Sequence, residues 1–242
     1  MIYGDQAVNI TEYEAPRFDA DDPGLVKHFE ENGYVIVKQV ACSQTIAECE
    51  SLLWEFLSSE CGMIRDDPST WGDENFCKIG GILNGIISGK GIGQSQFLWR
   101  LRLLPSVRKS FEAIWCDDNL ITSFDGANVF RPWHDPEFQD RTATACGWFH
   151  VDQGPQFRGL QTVQGLVSLT DGNATTGGFV CIPKSHLYHD ELMEKCGEGR
   201  KQNFIMVPPD FHVLQHQQLL PKIYKGDMIL WDSRTVTSCI EL

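Results

Sequence analysis

The chain has 242 residues, enough for one large domain with a substantial core and short for two. Its 33 acidic residues against 20 basic ones give a formal net charge of −13, which opposes nonspecific attraction to nucleic acid or anionic lipid and leaves a small molecule as the expected partner. No apolar run approaches the roughly 18 to 20 residues that span a bilayer, and Met1 to Pro16 carries acids without a basic cluster, so neither a membrane span nor a secretory signal is expected and the default compartment is cytoplasmic.

In chain order, residues 1–16 show no periodicity and read as a flexible arm. Asp22-Pro23 opens a helix that runs to about Asn32, with Pro where its missing N–H is harmless, and Gly33 stops it. Tyr34 to Val37 reads as a short buried strand. Ser43 caps a second helix in which Ile46, Cys49, Leu52, Leu53, Phe56 and Leu57 form one apolar stripe. Ser58 to Gln96 is glycine-rich loop that could cover a pocket; Gly89, Gly91 and Gly93 lack the strand that a dinucleotide-binding turn needs. A third helical region spans about Phe97 to Trp115, with Pro105 kinking it or opening its second half, and Arg100, Arg102, Arg108 and Lys109 give it a basic face best explained by salt bridging.

From Leu120 the pattern becomes strand, turn, strand. Leu120 to Phe124 ends at the Asp125-Gly126 turn, Val129-Phe130 follows, and further strands are expected over Ala143 to Val151, Thr162 to Leu169, Phe179 to Ile182, Phe204 to Val207 and Met228 to Trp231. Short strands after a helical part predict a jelly-roll core with helices packed on one sheet. The nine cysteines include no C-x-x-C and are expected as reduced thiols, with Cys146 and Cys181 inside apolar strands.

The chemistry concentrates in Trp148-Phe149-His150-Val151-Asp152-Gln153. In a strand, His150 and Asp152 share one face while Phe149 and Val151 take the other, so an imidazole and a carboxylate reach toward one point. Such a pair supplies two ligands of a 2-His-1-carboxylate facial triad, although His-x-Asp by itself is common and is also met as a plain His–Asp contact. His134 lies in a loop, His186 ends the Pro183-Lys184-Ser185 turn, His189 is in a loop or helix, and His212 and His216 could share a helix face. No Gly-x-Ser-x-Gly supports nucleophilic catalysis.

The His-x-Asp-Gln stretch, Gly165 to Asp171, Gly177 to His186 and Gly226 to Arg234, in this order and spacing, resemble the phytanoyl-CoA dioxygenase family of Fe(II)/2-oxoglutarate oxygenases. The resemblance covers about Pro23 to Arg234. It implies a mainly β fold with flanking helices, a double-stranded β-helix (jelly roll, cupin-like), with Fe(II) as cofactor and 2-oxoglutarate as cosubstrate. It also implies hydroxylation of a small organic molecule and iron held by His150, Asp152 and a later His. Thr237 stands where that His is expected, and no basic residue follows to hold the 2-oxoglutarate carboxylate.

The expectation is therefore a single domain over 1–242, with the arm over 1–16, a mainly helical and loop portion over 17–119 and a jelly-roll core over 120–242. That core is C-terminally incomplete, altered after about Val236, and its sheet keeps an unpaired edge. An oxygenase and an inactive, truncated binding module both remain open. Arg131, Arg158 and Lys78 are candidates for holding an anionic substrate, whose choice would rest with the loops Ser58 to Gln96 and Asp190 to Gln202.

Overall fold

The computed structural model describes residues 8–80, 85–131, 148–196, 199 and 201–240. Part of the expected arm is a strand, β1 (Ile10–Tyr13), and β2 (Arg17–Phe18) follows. Helix α1 (Gly24–Asn32) begins where Asp22 Oδ1 accepts the Gly24 N–H at 2.8 Å, and it ends at Gly33, whose φ of 78° glycine adopts without a steric penalty. Strand β3 (Tyr34–Val37) leads to α2 (Ser43–Cys61), whose flanking residue is Cys42 rather than the expected Ser43. The apolar stripe of α2 packs as expected: Cys49 and Leu57 lie in a buried cluster with Phe76, Ile79, Ile87 and Phe97, and Leu52, Leu53 and Phe56 border it.

The glycine-rich segment is more ordered than its composition suggests. It holds a 3₁₀ turn (Pro68–Trp71), the short helix α3 (Asp73–Phe76) and strand β4 (Ile86–Ile87), which pairs antiparallel with β5 (Ala127–Asn128). The third helical region is two helices, α4 (Gln96–Arg102) and α5 (Pro105–Trp115), because proline suits a first turn, where N–H groups have no helical acceptor. Their basic residues are engaged: Arg100 pairs with Glu48, Arg108 with Glu112 and Lys109 with Asp21. The expected strand Leu120 to Phe124 does not form. Ala127–Asn128 takes the pairing with β4, and Ile121 is 99% and Phe124 62% exposed, so among the described residues the stretch has no strand partner and stays on the surface.

The remaining strands are β6 (His150–Val151), β7 (Val163–Val167), β8 (Gly178–Cys181), β9 (Ile205–Met206), β10 (Gln218–Pro221), β11 (Met228–Asp232) and β12 (Thr237–Ile240). They build a six-stranded sheet, β1-β10-β8-β12-β6-β9, and a four-stranded sheet, β2-β3-β11-β7. Alternation along each strand sorts three apolar layers. Tyr34, Ile36, Phe179, Cys181 and Ile229 cluster between the sheets. Val35, Val37, Met228 and Leu230 face the other way, against Leu25 and Phe29 of α1 and Val107 of α5. Phe149, Val151, Val180 and Val236 pack outward on Leu192 and Met193 of α6 (His189–Cys196) and on Val213 and Leu214. The result is the double-stranded β-helix with flanking helices, and helices cover both sheets rather than one.

The expected unpaired edge is also corrected. Residues Thr237 to Ile240 enter the six-stranded sheet, pairing antiparallel with β8 from Thr237↔Cys181 to Ile240↔Gly178 and with β6 at Thr237↔His150. Strand pairing uses backbone groups, so a tail with different side chains fills the same slot. Strand β2 is locked below β11 by a buried ion pair: Arg17 Nε and Nη2 each donate to Asp227 at 2.8 Å, and Asp227 also accepts the Gln39 N–H at 2.9 Å. Asp227 is fully buried and Arg17 half-buried. Removing one partner of such a pair leaves an uncompensated charge, so Arg17→Ala is expected to lower unfolding free energy by about 3 kcal/mol, read from urea denaturation. An unchanged midpoint would contradict this.

Candidate metal centre

His150 and Asp152 come together as their spacing predicts. Their neighbours Phe149 and Val151 are fully buried in the outer layer, which turns His150 and Asp152 toward the space between the sheets. His150 is clamped on both faces: Trp148 stacks at 4.6 Å with 16° between planes, and Phe204 lies at 4.7 Å. The Trp148 carbonyl is 3.0 Å from His150 Nδ1, and since a carbonyl only accepts, Nδ1 carries the hydrogen. That leaves Nε2, 3.7 Å from Asp152 Oδ2, as the ring nitrogen on the side of the carboxylate and the one a metal would take. Trp148 is itself held by its indole N–H, which donates to the Cys239 carbonyl of β12 at 2.8 Å.

Asp152 is set by backbone and side chain. Its N–H donates to the Ser233 carbonyl at 2.8 Å, and Gln164 Nε2 of β7 donates to Oδ2 at 3.1 Å. Burial pulls its carboxyl upward, but the contact with His150 and the Gln164 hydrogen bond outweigh it and hold the carboxyl below its ordinary value. The group stays an anion, as a metal ligand must.

Thr237, the residue expected at the third position, is buried directly across the strand pair from His150. Its hydroxyl is a weaker donor to a divalent metal than imidazole. Cys239, two residues further on β12, has its thiol pushed up to about 12 by burial and then by the charge of Asp152. Among the described residues no three of His, Cys, Asp and Glu converge on a point that could hold a metal ion. The described residues thus offer two donors and do not fit a three-donor iron centre. His134 lies outside the described residues.

The other candidates are engaged elsewhere. The His186 Nε2–H donates to the Glu30 carbonyl at 3.0 Å, a turn-packing role. His212 contacts Glu191 at 3.0 Å, and Tyr188 lies edge-on to both His212 and His216 in a cluster apart from the metal pair. Arg131 is bound to Asp73 at 2.7 Å and the Trp71 carbonyl, Arg158 to Asp190 at 2.6 Å, and Lys78 to Asn75 at 2.7 Å. Residue-by-residue reading missed Gln153, Gln164, Ser233 and His189. Gln153 is 1% exposed; its amide donates to the Gly159 carbonyl, accepts from Ser233 Oγ at 3.0 Å, and its carbonyl accepts from His189 Nε2 at 2.8 Å. The only sequence signal was proximity to His-x-Asp, because the partners lie up to 80 residues away.

The family description phytanoyl-CoA dioxygenase (PhyH) matches residues 29–237. The chain is 24% identical over 224 residues to Ava biosynthesis cluster protein O of Aspergillus versicolor, covering 86% of this chain and 69% of that protein. Among solved structures, GlcNAc Inducible Gene 2 of Candida albicans aligns at a TM-score of 0.63 with 12% identity, over 94% of this chain but 63% of that one, so this chain spans under two thirds of its length. The epimerase SnoN, solved with Fe3+, alpha ketoglutarate and nogalamycin RO, aligns at 0.57 with 17% identity, over 91% of this chain and 78% of its own. At such identities the structural likeness is one of fold. No helix among the described residues is long and apolar enough to cross a membrane.

The polar support of the site carries a pH dependence. Burial lowers the pKa of His189 and of His186 below the ordinary 6.5, so the folded state keeps both neutral. As pH falls through 6.5 the unfolded chain takes up protons first, so stability is full above 6.5 and declines below it until the folded pKa values are reached. His189→Gln, whose amide can still donate to Gln153, is expected to flatten this decline in urea midpoints measured from pH 7 down to about 5. Equal slopes for both proteins would remove His189 from the account.

Proposed function

We propose that this chain, which belongs to the phytanoyl-CoA dioxygenase family, carries the scaffold of an Fe(II)/2-oxoglutarate oxygenase acting on a small organic molecule, with a metal centre that among the described residues is one donor short. The observation that carries the reading is the register Thr237↔His150, with Asp152 on the same inner face. His150 Nε2 and the Asp152 carboxylate are the two donors we assign, and Thr237 occupies the place of the third. In the complete centre, iron with 2-oxoglutarate supplies the oxidising chemistry that hydroxylates a C–H bond. This chain's residues orient and insulate: Trp148 and Phe204 fix the imidazole plane, Gln164 and the Ser233 carbonyl fix the carboxylate, and the two sheets exclude water.

As the sequence stands, the protein is a binding scaffold with little or no turnover. The same register favours this second reading, because the backbone slot is filled while the donor is not. The experiment compares the chain with Thr237→His for Co(II) affinity, by cobalt absorption, and for succinate formed from 2-oxoglutarate with Fe(II). Loss of an outer-shell partner alone changes metal affinity by about 10- to 100-fold, so a restored direct donor is expected to raise Co(II) affinity by about tenfold or more. The unaltered chain is expected to form no succinate above a metal-free blank. Substantial succinate from it would show that another residue completes the centre, with His134 as the first suspect.

A further inference from the structure

A second group of metal-binding side chains lies on the outer side of the six-stranded sheet, where α6 packs. The 3₁₀ turn His212–Gln215 is anchored there by Val213 and Leu214, which are buried in one cluster with Leu192 and Met193 of α6. Lys195 of α6 also donates to Asp210 Oδ2 at 2.7 Å, just ahead of the turn. Pinned in this way, His212 at the start of the turn and His216 directly after it have ring centroids 5.9 Å apart. Four residues of separation would align two side chains on an α-helix, but this segment is a 3₁₀ turn, so tertiary packing sets the two rings together. Tyr188, at the end of the 3₁₀ turn that leads into α6, packs edge-on to both rings, at 5.1 Å from His212 and 5.4 Å from His216. Glu191 of α6 accepts from His212 Nε2 at 3.0 Å. The site is open to solvent: the His212 side chain is 42% exposed, and His216 is exposed as well.

We infer that His212 and His216 form a surface chelate for a late first-row divalent ion such as Ni(II), separate from His150 and Asp152. Imidazole nitrogens bind such ions at about 2.0 to 2.1 Å, which puts the centroids of two ligating rings roughly 5 to 6 Å apart. The observed 5.9 Å meets that requirement with little movement, and the exposed rings have room to turn toward an ion. Glu191 takes the hydrogen of Nε2, so the ion binds His212 through Nδ1 and the carboxylate holds the ring from behind. Two imidazoles make an open chelate completed by water rather than a closed cage, in keeping with the absence, among the described residues, of three converging ligand groups. Imidazole suits Ni(II), Cu(II) and Zn(II), whereas Mg(II) is held by oxygen and keeps its waters. Charge favours the cation too, since the chain carries a net −13 and Lys195 is paired with Asp210. Packing of the three rings on one another, by itself, predicts no response to metal.

The test is equilibrium dialysis of the metal-free chain against Ni(II), with bound metal read by atomic absorption. Ni(II) is the probe because, unlike Cu(II), it does not oxidise the free thiols of the chain. Loss of an outer-shell partner alone changes metal affinity by about 10- to 100-fold, so His212→Gln and His216→Gln, each removing a direct donor, are expected to weaken Ni(II) binding by about tenfold or more. Both positions are on the surface, and urea midpoints equal to that of the unaltered chain show that the variants are folded. Mg(II) in excess is expected to displace none of the bound Ni(II). His150→Gln is expected to leave this binding unchanged. Equal Ni(II) affinity in the unaltered chain and in either histidine variant overturns the inference. So does the absence of bound Ni(II), and so does binding that is lost in His150→Gln, which would put the ion at the first pair. The chelate does not involve Thr237, so the Co(II) comparison with Thr237→His and this one fail independently.

Discussion

The junction at Gly33 is the constraint on which the arrangement depends. Its carbonyl accepts the Asp232 N–H at 3.0 Å and the Thr235 hydroxyl at 2.8 Å, while the Asn32 carbonyl accepts the Lys184 N–H at 2.8 Å. A Cβ at residue 33 would lie 2.5 Å from both His186 Nδ1 and Thr235 Oγ1, so the close approach of three segments needs glycine as much as the left-handed turn does. Here the chain leaves the four-stranded sheet at the end of β11 and crosses to the six-stranded one. The crossing is largely buried, and its polar side chains are matched: Asp232 by Arg234, Ser233 by Gln153 and Thr235 by Gly33, with the Val236 N–H donating to Ser185 Oγ at 2.8 Å. This sets the register of β12 and hence which residue faces His150.

Register and chemistry are separable in this protein. Backbone pairing places β12 between β8 and β6 whatever side chains it carries, so the sheet closes beside His150 and Asp152 with a threonine, Thr237, opposite the imidazole. Metal ligation depends on one side chain at one point of that register. A chain can therefore retain the fold, the clamped His150 and the anchored Asp152 whatever residue stands at position 237. The aromatic clamp is tied to the same strand, since Trp148 reaches Cys239 as it stacks on His150. Strand β12 thus orients the imidazole opposite it through Trp148.

Much of this was legible in the sequence, because alternation and capping are local. The α1–Gly33–β3 opening, the stripe of α2, the strands around Val163–Val167, Gly178–Cys181 and Met228–Asp232, and the shared face of His150 and Asp152 all follow from periods of 3.6 and 2 and from the φ preference of glycine. The resemblance carried by the His-x-Asp and Gly226 to Arg234 stretches supplied the architecture, a double-stranded β-helix; the order in which the strands meet came from the structure. What only the tertiary structure decided was partnership. Leu120 to Phe124 has strand-forming residues and no strand to pair with, whereas Ile10–Tyr13 and Thr237–Ile240 become strands because an open backbone edge waits for them. The same holds for Gln153 and Gln164, whose hydrogen bonds depend on groups brought close by the fold. A residue's period is written in its neighbours along the chain, but the satisfaction of a buried donor or acceptor is a property of three-dimensional proximity, and no local pattern encodes it.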